Sequence, residues 1–83
     1  MIKRKKVESI DISKPIQVTS DNLNRILVTL RRNKGYTQEA LAIDLGMSTV
    51  CINEWEHAKT VPRFYLLLDV LDFYGYKLEI KKK

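Results

Sequence analysis

The stretch that decides the fold runs Thr37-Gln-Glu-Ala-Leu-Ala-Ile-Asp-Leu-Gly-Met-Ser-Thr-Val-Cys-Ile-Asn-Glu-Trp-Glu56. Thr37 is a good N-cap for a short helix, and Gly46 can adopt the left-handed backbone that ends one. Only Met47 separates Gly46 from Ser48, a second good N-cap, so another helix must begin at once. We therefore predict two short helices that meet at a sharp angle around a glycine turn.

Apolar residues in this stretch give each short helix one inward face. Ala42 must be small, because the two helices cross near it and a longer side chain would hold them apart. Larger apolar residues are predicted to seal the junction, namely Leu41, Leu45, Ile52 and Trp55. The opposite face of the second short helix is left polar and short-chained.

Two further helices are predicted on either side of this stretch. The i, i+3, i+4, i+7 apolar spacing predicts a helix from about Asn22 to Asn33, with Ser20 or Asp21 as its cap. Pro62 suits the first turn of another helix, which ends before Gly75. The buried stripe predicted for this last helix consists of Phe64, Leu67, Leu68 and Leu71.

The two ends of the chain are predicted to be extended. Residues 1–20 form a basic arm in which isolated apolar residues alternate, as in an edge strand: Ile10 with Ile12, and Ile16 with Val18. Apolar residues also alternate with charged ones from Tyr76 to Ile80, which predicts a short C-terminal strand. The predicted organisation is thus an arm at 1–20, a helical domain at 21–75, and a strand with a basic tail at 76–83.

The positive charge of the chain is concentrated at its ends. The formal net charge is +5, yet residues 7–80 hold 8 basic and 10 acidic residues. Seven of the 15 basic residues lie in the tails, in the runs 3–6 and 81–83. Such tails either contact phosphates or are solvated segments that aid solubility, and the charge alone does not decide between them.

The cysteine and histidine content excludes two kinds of site. Cys51 is the only cysteine and His57 the only histidine, so we expect neither an intramolecular disulfide nor a Cys/His metal cluster. No cofactor is expected. We also predict no signal peptide and no membrane span, and a cytoplasmic location.

The paired short helices have the helix-turn-helix layout, and the chain resembles the Cro/CI-type, or XRE-like, repressor family over roughly residues 23–75. The matching positions are Leu30-Arg31, Gly35-Tyr-Thr-Gln-Glu-Ala-Leu-Ala42, Leu45-Gly46, Ser48, Ile52, Trp55-Glu56 and Pro62. The resemblance implies a mainly α, lambda-repressor-like bundle of four to five short helices, here with a C-terminal strand and an N-terminal arm. The C-terminal strand is also similar, more weakly, to that of HipB-like antitoxins.

The resemblance implies that five residues face DNA bases or nearby phosphates: Ser48, Thr49, Val50, Asn53 and Glu54. Val50 suits a thymine methyl group, Asn53 suits adenine, and Glu54 suits the cytosine amino group. For each of them the alternative is an ordinary solvent-facing helix residue. Thr49 and Glu54 depart from the family, which often has Arg, Lys or Gln at these positions, so the operator sequence is not predicted.

Three more residues are candidates for phosphate contacts. Gln38 lies at a helix start, where free N–H groups favour an anion, and the resemblance implies that it clamps the DNA backbone. Its alternative is to reach back to the helix cap. Lys59 and His57 follow the second short helix, and His57 is equally suited to a C-cap. Ala58 stands where the family usually has Gly, so this connection is expected to bend differently.

Three residues of the motif are predicted to be structural. The resemblance implies that Arg31 and Glu56 form a partly buried salt bridge between the first and third helices. Cys51 is predicted to be a small core residue rather than a reactive thiol, because no base or cationic cluster surrounds it in the sequence.

A two-fold dimer is predicted because an 83-residue monomer cannot bury both apolar faces of the fourth helix. The C-terminal strand edge is expected to pair with its twin or with the N-terminal arm. The predicted dimer interface comprises Leu66, Val70, Phe73, Tyr74, Tyr76, Leu78 and Ile80.

The resemblance implies a transcriptional regulator that binds double-stranded DNA, a repressor acting as a homodimer on an inverted repeat. The alternative is an antitoxin or antirepressor that acts through protein binding, with a toxin as a possible partner, and the scarcity of basic residues on the third helix favours it slightly. We do not expect an enzyme, because one histidine, one cysteine and no carboxylate pair beside a glycine-rich loop leave nothing to build an active site from.

Overall fold

The computed structural model describes residues 6–83 and contains four helices. These are α1 (Leu23–Asn33), α2 (Gln38–Leu45), α3 (Thr49–Glu56) and α4 (Phe64–Phe73). The fold within these residues is all α. The basic residues at 3–5 of the predicted arm lie outside the described part of the chain.

The turn between α2 and α3 follows the predicted pattern of caps. The hydroxyl of Thr37 accepts a hydrogen bond from the Ala40 N–H at 3.0 Å, and that of Ser48 accepts one from the Cys51 N–H at 3.2 Å. Gly46 has a φ of 66°, in the left-handed region. Thr37 starts α2, while Gly46 ends α2 and Ser48 starts α3 within three residues, which is why the two helices cross sharply.

The core is a single cluster to which all four helices contribute. Ile52 of α3 is 1% exposed and Ala42 of α2 is 3% exposed, as expected for the contact between these helices. The remaining core residues are Ile26, Leu27, Leu30, Leu41, Trp55, Leu67, Val70, Leu71 and Tyr74. Because α1 and α2 both pack on α3, the outer face of α3 is held in a fixed orientation.

The buried face of α4 differs from the prediction. Its buried residues are Leu67, Val70, Leu71 and the flanking Tyr74, again at i, i+3, i+4, i+7 spacing. Phe64 is 63% exposed and Leu68 is 36% exposed, so the predicted stripe was wrong at both positions. Nearly every residue of α4 is apolar, so several stripes fit the same sequence.

The predicted dimer interface needs correction for the same reason. Val70 is 2% exposed and Tyr74 is 5% exposed, so both belong to the core of the single chain and neither can contact a partner. Leu66 and Leu78 are partly buried and pack against that core. The more exposed members of the predicted interface are Phe73, Tyr76 and Ile80.

The described part of the N-terminal segment packs along α1 and forms no strand. Ile10 donates its backbone N–H to the Thr29 hydroxyl at 2.9 Å, and Ile10 and Ile12 both pack against the core. Arg32 donates to the backbone carbonyl of Val7 at 2.7 Å and to the Ser9 hydroxyl at 3.0 Å. Residues 7–12 are therefore docked on the helical domain, whereas residues 13–20 are exposed.

Neither Ser20 nor Asp21 caps α1. The N-cap position is Asn22, whose side chain makes no capping bond. It instead accepts the Thr19 N–H at 2.8 Å and donates to the Gln17 carbonyl at 2.8 Å. The side chain of Asn22 thus organises the turn that precedes the helix.

The predicted C-terminal strand is not present in this single chain. Residues 76–83 have no regular secondary structure, and the structure contains no strand anywhere in residues 6–83. A strand needs a neighbouring edge for its backbone groups, and the described chain offers none. Pro62 is buried two residues before α4, which begins at Phe64, so it precedes the first turn rather than lying within it.

Candidate nucleic-acid interface

The outer face of α3 carries one stripe of accessible residues. Val50 is 68% exposed, whereas Asn53, Glu54 and His57 are half-buried. Their spacing of i, i+3, i+4, i+7 puts them on the same side of the helix. The opposite side carries Ile52 and Trp55 in the core, so this stripe is the surface that α3 offers to a partner.

Residues at the start of α3 have divided roles. The oxygen of the Ser48 hydroxyl accepts the capping hydrogen bond, which leaves its O–H free to donate outward. Thr49 is half-buried beside it in the first turn. Both lie next to Val50, at the end of α3 where free N–H groups are found.

The ion pair between Arg31 and Glu56 is present and two-pronged. The Nε of Arg31 donates to Oε2 of Glu56 at 2.7 Å, and its Nη2 donates to Oε1 at 2.9 Å. The side chains are only 13% and 4% exposed. Nη1 of the same guanidinium donates to the Tyr36 carbonyl at 2.8 Å, so Arg31 joins α1, the α1–α2 loop and α3.

Two further groups surround this ion pair. Asn24 donates its side-chain amide to the backbone carbonyl of Glu56 at 3.1 Å, which fastens the start of α1 to the end of α3. The Tyr74 hydroxyl is buried without a hydrogen-bond partner. Burial, reinforced by the negative charge of Glu56, raises the pKa of Tyr74 to about 12.

Gln38 makes contacts that the sequence did not predict. Its Nε2 donates to Oε1 of Glu56 at 3.0 Å, and its Oε1 accepts a hydrogen bond from Nδ2 of Asn53 at 3.3 Å. Neither the phosphate clamp nor the alternative contact with the helix cap anticipates this arrangement. Gln38 therefore links the buried carboxylate to a residue of the accessible stripe. A side-chain network of this kind has no signature in residue spacing.

His57 is the C-cap of α3, and its Nδ1 lies 2.9 Å from the backbone carbonyl of Asn53. It also lines an open depression with Lys6 and Arg25, to which Glu8 and Asp21 contribute as well. The two carboxylates balance the two cations. This depression therefore adds no net positive charge to the surface beside α3.

The connection after α3 turns at Ala58, whose φ is 58°. This left-handed backbone is the conformation that a glycine adopts without strain, which explains why the family usually has Gly here. The Lys59 N–H then donates to the Glu54 carbonyl at 2.9 Å. Ala58 thus adopts this backbone despite its Cβ, and the Lys59 side chain is exposed just beyond α3.

The described residues give little support for metal binding, thiol chemistry or a membrane span. Between residues 6 and 83, no group of three or more His, Cys, Asp or Glu side chains is arranged to hold a metal ion. Cys51 is a free thiol, partly buried against the core. The helices of this part of the chain are all too short or too polar to cross a membrane.

Comparison with known proteins identifies the family. A family model described as HTH_3, helix-turn-helix, matches residues 27–81. No curated protein and no solved structure matches the chain significantly. The matched region contains α2, the glycine turn, α3 and all of α4, and it covers well over half of the sequence. The chain therefore belongs to the XRE-type helix-turn-helix family of DNA-binding transcriptional regulators.

Proposed function

We propose that this protein is a sequence-specific repressor that binds an inverted-repeat operator in double-stranded DNA as a homodimer. The observation that carries the proposal is the accessible stripe of α3, which is exposed at Val50 while Ile52 and Trp55 on the other side are buried. A helix held in this way can enter a major groove about 12 Å wide.

The residues of this stripe suit direct recognition of bases. Val50 offers its methyl groups to thymine, Asn53 offers an amide to adenine, and Glu54 accepts from the cytosine amino group. Thr49 lies beside them and contributes a hydroxyl. A bidentate pair such as Asn53 with adenine contributes roughly 1–3 kcal/mol of discrimination between bases.

Contacts to phosphates hold the protein on the duplex in this proposal. The exposed Lys59, the free O–H of Ser48 and the ring of His57 lie at the two ends of α3. Gln38 stands at the start of α2 with its amide oxygen and one N–H engaged inside the protein, which leaves its second N–H. We therefore assign the backbone contacts first to Lys59, Ser48 and His57.

The dimer uses the exposed apolar face of α4 in this proposal. That face comprises Phe64, Tyr65 and Leu68 of α4, which lie at i, i+1 and i+4 toward one side of the helix, and the exposed Val61 precedes it in the chain. Phe64 and Tyr65 are 63% and 82% exposed in the single chain. A contiguous apolar surface on a small protein is more often an interface than a tolerated exposure. The exposed Phe73, Tyr76 and Ile80 remain candidates for its periphery.

Selection from a random pool of duplexes tests the proposal. An inverted repeat should be recovered, with half-sites about 34–36 Å apart, because a dimer presents its two reading helices one turn of DNA apart. Recovery of no preferred sequence would contradict the claim that α3 reads bases.

Variants then separate base contacts from phosphate contacts. Val50→Ala should relax preference at one base pair of each half-site. Lys59→Ala should weaken binding to all duplexes alike and reduce the slope of log affinity against log salt by about 2, because the dimer carries two copies of Lys59. A Lys59→Ala variant that kept the original slope would show that Lys59 touches no phosphate.

A second candidate function is an antitoxin or antirepressor that acts mainly through a protein partner. It is favoured by the absence of Lys and Arg from α3 and by the two glutamates of this helix. Binding to mixed-sequence duplex distinguishes the two functions, because DNA binding weakens steeply as salt rises. Undetectable duplex binding at low salt would favour the protein-binding function.

A further inference from the structure

An unbroken chain of side-chain hydrogen bonds runs from the core to the accessible stripe of α3. Oε1 of Glu56 accepts from Arg31 Nη2 at 2.9 Å and from Gln38 Nε2 at 3.0 Å. Oε1 of Gln38 in turn accepts from Nδ2 of Asn53 at 3.3 Å. The chain starts at a carboxylate that is only 4% exposed and ends at a half-buried amide of the stripe.

The direction of this chain is set by the charge of Glu56. An ionised carboxylate paired with a guanidinium has no proton to donate, so the group facing it must be the NH2 of Gln38. The Gln38 carbonyl then points toward α3, and Asn53 can approach it only with its own NH2 group. Neither amide can turn over without bringing two acceptors or two donors together.

This direction leaves a defined pair of groups on Asn53. One N–H of its NH2 is used by Gln38, while the second N–H and the carbonyl oxygen Oδ1 remain available. Adenine presents an N6 donor and an N7 acceptor side by side in the major groove, and an Asn amide pairs with both. The unused groups of Asn53 are the matching acceptor and donor, held in a fixed order before DNA arrives.

We infer that Gln38 is a positioning residue that determines base preference through Asn53, although it contacts no base itself. The inference rests on the proposed function. A residue held in place by a neighbour loses less conformational entropy on binding and offers one orientation of its amide only. Removing Gln38 should therefore reduce the preference for adenine opposite Asn53, rather than weaken binding to every sequence equally.

The test compares Gln38→Ala with Glu39→Ala, a control at the exposed neighbouring position of the same helix. Affinities are measured on the selected operator and on duplexes changed one base pair at a time. Gln38→Ala should reduce the preference for adenine opposite Asn53 by roughly tenfold, which lies within the range for one bidentate contact. Glu39→Ala should leave the base profile unchanged.

A double-mutant cycle assigns the effect to Asn53. In the Asn53→Ala background, removal of Gln38 should cause no further change of preference at that base pair, because coupled residues are not additive. Independent, additive effects would show that Gln38 acts by another route. A common loss of affinity for all duplexes, with the profile unchanged, would make Gln38 a phosphate contact and overturn the inference.

Two measurements keep the inference testable if one variant is unstable. Gln38→Met keeps much of the side-chain volume and should reproduce the change in profile. In the protein without DNA, nuclear magnetic resonance should show the Asn53 side-chain NH2 protected from exchange, and this protection should be lost in either variant. Equal protection with and without Gln38 would contradict the inference. Wild-type protein without any sequence preference would instead contradict the proposed function.

Discussion

Glu56 and Glu54 are two residues apart on α3, yet their surroundings are opposite. Glu56 is 3% exposed and receives three side-chain hydrogen bonds, two from Arg31 and one from Gln38. Glu54 is half-buried and lies on the accessible stripe. The two identical side chains thus differ in role: Glu56 is structural, and we propose that Glu54 recognises a base.

Glu56→Ala should lower the free energy of unfolding by about 3–5 kcal/mol, because it leaves the Arg31 guanidinium buried without its partner. Glu54→Ala is the matched control and should change stability by less than about 0.5 kcal/mol. Urea unfolding of both variants measures the difference. Equal midpoints would show that the Arg31–Glu56 pair contributes nothing to stability.

The raised pKa of Tyr74 makes the free energy of unfolding depend on pH in the alkaline range. An unfolded chain ionises this phenol near pH 10, whereas the folded protein keeps it protonated until about pH 12. The unfolded state therefore releases its proton first, and the free energy of unfolding falls as the pH rises from 10 to 12. Below pH 10 this contribution is constant.

Tyr74→Phe should raise the free energy of unfolding by about 1 kcal/mol at neutral pH, because it removes a buried hydroxyl that has no partner. At pH 11 its advantage over the wild type should grow by about 1 kcal/mol more. Urea unfolding at pH 7 and pH 11 gives both values. An unchanged advantage at the two pH values would mean that Tyr74 ionises normally.

Ala58 holds a left-handed backbone that strains any residue with a Cβ. Ala58→Gly should stabilise the protein by about 0.5–1 kcal/mol, since relief of roughly 1–2 kcal/mol of strain outweighs the greater entropy of a glycine in the unfolded chain. Ala40→Gly, the same substitution within α2, should destabilise by about 1 kcal/mol. The midpoint of thermal unfolding should therefore rise for Ala58→Gly and fall for Ala40→Gly. If both midpoints moved in the same direction, the backbone at Ala58 would not be strained.

At the scale of elements, Thr29 fastens the N-terminal segment to α1. Its buried hydroxyl accepts the Ile10 N–H and donates to the Arg25 carbonyl at 2.7 Å. Thr29→Val keeps the shape but leaves that N–H unpaired, so the Ile10 amide should lose its protection from hydrogen exchange. Thr29→Ser keeps the hydroxyl and should retain the protection. Rapid exchange at Ile10 in the wild type would contradict the docking of this segment.

The elements that could be predicted from the sequence are those with local signals. Thr37 marks the start of α2, Gly46 marks its end, and Ser48 marks the start of α3. The turn between the two helices forms as these residues predict. The buried face of α4 was mispredicted because most of its residues are apolar, although the exposed Asp69 and Asp72 mark the solvent side opposite the buried stripe. Packing into the core that all four helices share decides which apolar side is buried.

Long-range contacts explain the remaining differences between the prediction from sequence and the structure. The Ile10–Thr29 hydrogen bond joins residues 19 positions apart, and its only trace in the sequence is an unremarkable threonine in a helix. The Gln38–Asn53 bond depends on the rotamers of two side chains that the family resemblance had assigned to separate tasks. Predicting either contact requires the neighbouring helices to be in position first.

At the scale of the whole molecule, the exposed apolar face of α4 is the surface that a partner would most favourably cover. Tyr65→Glu adds a charge at a position 82% exposed, so it should preserve the fold while it prevents dimerisation. Ile43→Glu is the matched control, because Ile43 is 79% exposed on α2. Sedimentation should give a monomer for Tyr65→Glu alone. Wild-type protein that stays monomeric at concentrations that saturate the operator would refute the dimer.

Trp55 is the only tryptophan of the chain, and it lies 5% exposed in the junction beneath the accessible stripe. Its fluorescence should shift to longer wavelength when the junction opens and water reaches the indole ring. A duplex bound on the opposite face of α3 leaves the ring in the core and should shift the emission little. One native fluorophore therefore reports unfolding separately from DNA binding, so the variants described above can be measured without a label.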